Sequence, residues 1–436
     1  MAVGAPALHE ALGDIAGREH LLRDPAALAE HAVDGVTPAA VIRPGSADEV
    51  SRVLGLCTAE RLALVVRGSG TALALGNPPR RLDLVLDTSR LRTVRDYVPE
   101  DMVATVDAGV TLDALAAHLA PHRQMLALDP PGGGSRSVGG VLATHASGPL
   151  RFRYGTGRDL LLGVRFVQAD GTLTWGGAKV VKSVTGYDVP KLMVGSLGTL
   201  GVLVEATLRL HPVPLASRSW RLGFGSAAAA RAFLAALLDS TLQPDRAALL
   251  DDGGLRRVEL APDAVVLLIG VSSAPEAVES QGQALERLAR AHQGRAEILA
   301  DSAWRSLGAA AAGPVLLRVA AEPSRLLDWV TAAQSAAARL GVGVSVLAQP
   351  GHGVVQVSLW AASDPARIGR ELIVPLRRAV EAEGGSLVVE RAPAELKGSC
   401  EVWGSIDREI LAITTRIKMQ FDPDGLLAPG RFVGGL

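Results

Sequence analysis

Cysteine is scarce, and that scarcity excludes several kinds of chemistry. The 436-residue chain has two, Cys57 and Cys400, far apart in sequence. Two thiolates cannot supply the usual four ligands of an iron–sulfur cluster. No Cys-x-x-Cys pair is present for zinc or thiol redox work. Both cysteines read as small buried hydrophobes. Charge of one sign is also lacking: 44 basic and 45 acidic side chains leave a net charge of −1. That is not the basic field nucleic acid requires, so no nucleic-acid partner is expected. No apolar run approaches the roughly 18 residues of a membrane span. The strongest, residues 264–271 (AVVLLIGV), has the length of a buried strand. Residues 1–20 lack a basic stretch followed by an apolar one, the pattern of an export signal. A cytoplasmic location is therefore expected, with peripheral attachment to the inner face of the membrane through partners left open.

Aromatics make up only 3%, whereas hydrophobic residues reach 48% and charged residues 20%. This is a globular composition with ample core material. The length exceeds one ordinary core and predicts two or three domains. Residues 1–35 read as a helical lead-in. A strand at 41–44 is followed by Ser46 and Glu49, a capping-box pair. They predict a helix over 47–60 with Val50, Val53, Leu54 and Cys57 on one face. Residues 62–66 (LALVV) form the next expected strand, and 82–86 another. This strand–helix–strand order favours parallel pairing. Further strands are expected at 103–106, 163–168, 172–175 and 202–210. Thr111 is expected to cap a helix over 112–119, and Asp170-Gly171 to make a hairpin turn. From about residue 217, alanine-rich helices (227–238, 274–291, 326–340) alternate with strands (264–271, 315–319, 342–347, 354–359, 386–389), which predicts an α/β sandwich.

Three glycine-rich segments carry the chemistry. Arg67, Gly68, Ser69, Gly70, Thr71 and Ala72 follow a strand directly, so backbone N–H groups could converge on a phosphate without Cβ obstruction. The nicotinamide fingerprint fails here, because Leu73 stands where the third glycine is needed. The Gly-Lys-Ser/Thr of a P-loop is also absent. A tight structural turn explains this loop equally well when it is taken alone. The second segment runs from Pro130 through Ser137, Val138, Gly139 and Gly140 to Thr144, His145, Ser147 and Gly148. The third comprises Gly186-Tyr187-Asp188 and then Gly195, Ser196, Thr199, Gly201 and Val202. Glycines at three-residue spacing cost an ordinary helix about 1 kcal/mol each against alanine. A ligand-facing turn accounts for them better. Lys179, Lys182 and Lys191, with Arg151, Arg153 and Arg158, place positive charge around these segments.

Together these segments resemble the FAD-binding domain of the vanillyl-alcohol oxidase / p-cresol methylhydroxylase family. The resemblance spans residues 36–214 and includes Tyr154-Gly155, the Ala169-Asp170-Gly171 hairpin and the ending Phe421 to Arg431. It implies an α+β fold rich in α/β units. A p-cresol methylhydroxylase-type FAD-binding domain of two α+β subdomains (36–214) would follow the lead-in (1–35). An α/β sandwich cap (215–420) and a C-terminal segment returning to the FAD domain (421–436) would complete it. Within the family, residues 179–189 (KVVKSVTGYDV) and 195–201 (GSLGTLG) look most like FAD-binding subunits of glycolate oxidases. That likeness implies a larger flavoprotein subunit and an iron–sulfur subunit as partners, and a small 2-hydroxy acid as substrate. It places Arg67 to Ala72 at the pyrophosphate. Ser137 to Gly140, Ser147 and Gly148 fall near the ring system and ribityl chain, Thr144 and Tyr154 are further cofactor contacts, and the turn from Gly195 to Val202, with Ser196, Thr199 and Gly201, supplies the remaining ones. The first loop holds no histidine, so non-covalent FAD is expected.

The chain departs from related hydroxy-acid dehydrogenases at their metal-binding histidine cluster. Gln349, Gln356 and Arg391 stand where those relatives resemble histidine. Neutral amides are poor ligands for a divalent ion, so no metal is expected. His352, Arg391 and Tyr187 remain as catalytic candidates, each with a bland alternative as a loop or surface residue. Three functions stay open: a flavin subunit of a glycolate-oxidising complex, a self-sufficient oxidoreductase of another hydroxy acid or alcohol, and a non-catalytic scaffold of the same fold.

Overall fold

The computed structural model describes residues 5–180, 186–360 and 364–436. Of the stretch 179–189, residues 181–185, including Lys182, lie outside the described residues.

A small sheet opens the fold, with Leu21–Leu22, Ala40–Ile42, Leu84–Asp87 and Leu64–Arg67 in that order. Its last three strands are parallel, as the strand–helix–strand order predicts. Ser46 caps the intervening helix Ala47–Ala59, its hydroxyl accepting from Glu49 N at 3.1 Å. The Glu49 carboxylate reaches Gly45 N at 2.7 Å, one residue earlier than a regular capping box. Val50, Val53, Leu54 and Cys57 are the buried face. Burial pushes the Cys57 thiol up to about 12, so it is an inert core group. The expected strand at 62–66 starts two residues late because Leu62 N still bonds Cys57 O.

A five-stranded antiparallel sheet packs beside the first. Its order is Val94–Val98, Val103–Asp107, Val202–Arg209, Leu161–Val167 and Leu173–Gly177. Val167, Val202 and Val204 share a core with Val53, Leu54 and Leu86, which fixes one sheet against the other. Gly171, at φ +88°, makes the expected hairpin turn.

Eight strands form the third sheet: Arg295–Leu299, Ala216–Phe224, Val265–Ser273, Arg246–Leu250, Gly343–Gln349, Val354–Trp360, Val315–Ala320 and Ser386–Arg391. Every neighbouring pair in it is antiparallel. The linker from Gln349 to Val354 is too short for the crossover that parallel strands need. Helices Ala227–Leu238, Pro275–Ala291 and Leu326–Leu340 bury their apolar stripes on one face, around Trp220, Phe224 and Leu317. The other face packs on Leu255, Trp304 and Leu307.

The end of the chain returns to the first sheet. Leu64 N donates to Leu426 O at 2.9 Å and Ala428 N to Leu64 O at 2.8 Å, a parallel bridge across the whole sequence. Lys418 fastens that return by donating to Asp422, Thr199 O and Leu427 O. We propose residues 215 and 421 as boundaries, between the last strand of the five-stranded sheet and the first of the eight-stranded one, and at the end of helix Arg408–Phe421. Among the described residues, no helix is long and apolar enough to cross a membrane.

Candidate functional site

Two adjoining cavities lie at the junction of the sheets. The first, about 780 Å3 of empty space, is walled by the glycine-rich segments. Strand Leu64–Arg67 delivers Gly68, Ser69, Gly70, Thr71 and Ala72 to one wall, while Ser137, Gly139, Gly140 and Thr144 form another and Gly201 closes a third. The first two segments lock together. Ser69 N donates to Ser137 Oγ at 3.4 Å and Ser137 N to Ser69 Oγ at 3.2 Å. Ser137 also caps helix Val138–Thr144 by accepting from Gly140 N. A Cβ on Gly68 would sit 2.2 Å from Ser137 Oγ, and one on Gly139 would sit 2.9 Å from Ala108 O. Gly68 is required by the close approach of the Ser137 hydroxyl, and Gly139 by that of the Ala108 backbone.

The other expected cofactor contacts go elsewhere. Arg67 pairs with buried Asp87 at 2.8 Å, with His31 behind it, and does not line the cavity. Val138 and Val202 are core residues. Ser196 and Thr199 bond within their own turn, to Met193 O and Ser196 O. Gly195 packs behind His145, and Gly148 lies against Asp129. Tyr154 meets His211 edge-on at 4.8 Å in a separate surface cleft. Lys179 and Lys191 form exposed pairs with Asp96 and Asp188. Sequence reasoning missed Thr88, Ala108, Arg136, Leu197 and Arg431, which do line this cavity. Arg136 sits between the glycine clusters and was open to notice. Arg431 becomes visible only once the chain end returns.

The second cavity, about 1500 Å3, shares Thr71, Ala72, Leu75, Arg136 and Thr144 with the first. Its far wall comes from the eight-stranded sheet: Arg318, Gln349, His352, Gln356, Glu390 and Arg391. Ser147 and Arg151 close it from the glycine-rich side. His352 is half-buried beside Phe152, and burial together with the charge of Arg151 holds its imidazole below the ordinary value. Arg391 lines this cavity, but two of its nitrogens are held by backbone. Its Nε donates to Gly313 O at 3.0 Å and its Nη2 to Ala311 O at 2.5 Å. Tyr187 is 95% exposed and lines neither cavity, because it lies on the surface connection before helix Val189–Met193. Among the described residues, no three His, Cys, Asp or Glu side chains come together as a metal site. Gln349 is 5% exposed, donates to Ser147 O and accepts from Arg151, while Gln356 donates to Glu390. The residues therefore do not fit a divalent ion.

A family model described as an FAD binding domain matches residues 38–177, the span that builds most of the first cavity. The chain carries an FAD-binding domain of the p-cresol methylhydroxylase type. Over 90% of its length this flavoprotein is 27% identical to glycolate oxidase subunit GlcD of Bacillus subtilis, covering 88% of that protein. It is 30% identical to a mitochondrial cytochrome-linked D-lactate dehydrogenase of Arabidopsis thaliana over 59% of this chain and 46% of that one. It is 37% identical to glycolate oxidase subunit GlcE of Escherichia coli over 37% of this chain and 46% of that one. The flavoprotein thus spans less than half of the last two relatives. A substrate-bound p-cresol methylhydroxylase shares its fold at TM-score 0.80 and 16% identity, over 98% of this chain and 96% of that one. The flavoprotein is an FAD-dependent oxidoreductase with a mixed α+β fold.

The first cavity fits the cofactor on its own chemistry. The backbone N–H groups of Gly70, Thr71 and Ala72 donate to no acceptor among the described residues. Such groups, converging in a turn with Gly70 at φ +79°, suit phosphate oxygens. Val65, Val66, Leu197 and Leu203 add an apolar lining that suits a flat ring.

Proposed function

We infer that this flavoprotein oxidises a small 2-hydroxy acid, with FAD in the first cavity and the acid in the second. The observation that carries this reading is the shared wall. A glycine-lined cofactor cavity opens through Thr71, Ala72, Arg136 and Thr144 onto a chamber rich in arginine. Gly68 to Ala72, Ser137, Gly139, Gly140, Thr144 and Gly201 would hold the cofactor there. No histidine, cysteine or tyrosine lines the first cavity among the described residues, which supports non-covalent attachment.

Bound FAD would supply a two-electron acceptor. The chain's own residues would do the rest. A 2-hydroxy acid that becomes a 2-oxo acid must release its hydroxyl proton, and an uncharged imidazole is the ordinary acceptor near pH 7. His352 lines the chamber and is held uncharged by burial and by Arg151. The arginines that line the chamber would neutralise the acid's carboxylate.

Glycolate, oxidised to glyoxylate, is the first substrate to try, given the likeness to two glycolate oxidase subunits. The same likeness supports work in a complex with a larger flavoprotein subunit and an iron–sulfur subunit. The D-lactate and D-2-hydroxyglutarate dehydrogenases among the relatives make D-lactate and D-2-hydroxyglutarate the alternatives. The test is anaerobic mixing of the purified yellow protein with each acid while flavin absorbance is followed. Bleaching by one acid would establish substrate and self-sufficiency together. Bleaching by none, alone or with its partner subunits, would sink the proposal. Acid precipitation should release the flavin to the supernatant.

A further inference from the structure

The second cavity carries four guanidinium groups, from Arg136, Arg151, Arg318 and Arg391, against a single carboxylate, Glu390. Three of the four are engaged. Arg318 Nε pairs with Glu390 at 2.8 Å. Arg391 is clamped by two backbone carbonyls. Arg136 donates to Pro131 O at 2.9 Å and to Thr144 Oγ1 at 3.4 Å.

Arg151 differs. Its hydrogen bonds are two long contacts with neutral oxygens, Ser147 Oγ at 3.4 Å and Gln349 Oε1 at 3.3 Å. Its Nε is buried without a partner, as is that of Arg136, and, like Arg136 and Arg391, it forms no ion pair with a described carboxylate. Arg318 is close enough to oppose its charge. Asp159 acts on it favourably, but without a salt bridge; a half-buried cation with a like charge nearby and no directly paired counter-ion is costly, and a bound anion relieves it. Gln349 fixes that cation from the opposite sheet: its Nε2 donates to Ser147 O at 3.2 Å while its Oε1 accepts from Arg151.

We propose that Arg151, braced by Gln349, anchors the carboxylate of the substrate, and that this fixed guanidinium supplies the positive charge that histidine-ligated relatives draw from a divalent ion. The substrate class rests on the function proposed above; the anchor itself requires only an organic carboxylate. A guanidinium fork matches a carboxylate with two parallel N–H···O bonds, so acids should bind and their neutral amides should not.

The test is calorimetric titration of oxalate, a non-oxidisable dianion, into the FAD-loaded protein after dialysis against a chelator. Wild type should bind oxalate, and should bind oxamide far more weakly. Arg151→Gln should weaken oxalate binding on the order of 100-fold, with FAD content and melting temperature unchanged. Arg151→Lys should fall between the two. Oxalate binding by R151Q within about threefold of wild type would overturn the proposal, as would its loss on removing metal or its absence from wild type. If R151Q fails to hold FAD, wild type labelled with phenylglyoxal decides the matter. Oxalate should protect Arg151 from modification, and lack of protection refutes the anchor. Oxalate binding through Arg151 without oxidation of any hydroxy acid would leave the anchor standing and remove the proposed reaction.

Discussion

His352 and Asp129 show how burial sets the behaviour of single residues here. The imidazole of His352 lies below its ordinary value through burial first and Arg151 second. As a base it works when unprotonated, so kcat/KM should stay level through neutral pH and fall only as acid carries the medium through that lowered value. His352→Asn should reduce kcat by about 100-fold or more and remove the acid limb, read from pH profiles of flavin reduction. Asp129 is the opposite case. Burial raises its carboxyl to about 7, despite hydrogen bonds from Leu150 N. A carboxyl raised on folding binds its proton more tightly in the native state. Stability should therefore be greatest at and below the unfolded value near 4, decline as pH climbs towards 7, and level off above that. Asp129→Asn keeps an oxygen for Leu150 N. It should stabilise the protein by about 1–3 kcal/mol at pH 8 and change little at pH 4, as denaturant titrations at the two values would show.

At the scale of elements, the first cavity is a matter of two turns held one bond apart. Gly68→Ala would drive a Cβ into Ser137 Oγ, the atom that caps helix Val138–Thr144 and ties the two loops. FAD affinity should drop by about tenfold or more, measured by flavin fluorescence on reconstitution, while the melting temperature of the FAD-free protein moves little. Elements of this kind were legible because local chemistry specified them. Ser46 with an apolar stripe announced its helix, Asp170-Gly171 its turn, and Gly68 and Gly70 their loop, whereas Gly139 and Gly140 fall inside helix Val138–Thr144. The strand Arg246–Leu250 was hidden, since its residues RAALL suit a helix equally well and only its neighbours in the sheet decide. Arg151 and Gln349 lie 198 positions apart, and no pattern within either segment predicts their pairing. Tyr187 illustrates the converse: a suggestive neighbour of glycine that the backbone turns out to solvent.

Over the whole molecule, one buried ionic cluster joins the far ends of the chain. Lys397, with a side chain 0% exposed, bonds Asp34 at 2.7 Å and the carbonyls of Ala74 and Gly76. Arg431 faces the same carboxylate and holds Leu73 O and Leu75 O. The lead-in, the first glycine loop, the eight-stranded layer and the chain end thus meet at one carboxylate. Removing Lys397 as Lys397→Met would strand Asp34 without its main partner and should cost about 3–5 kcal/mol, seen as a lower denaturation midpoint. Replacing Lys397 and Asp34 together by apolar residues should recover much of that loss.

The bridge between Leu64 and Leu427 has a meaning for how the protein is made. A ribosome that has reached residue 425 has already produced every glycine of the cofactor loops, yet the edge beside Leu64 is still bare and Arg431 has not been added. The nascent chain can fold its early sheets in order of synthesis, but its cofactor chamber lacks the wall that Arg431 supplies until that residue has been added. A chain cut at residue 425 loses both the Leu427 bridge and Arg431, and should take up FAD more weakly than the full chain on reconstitution.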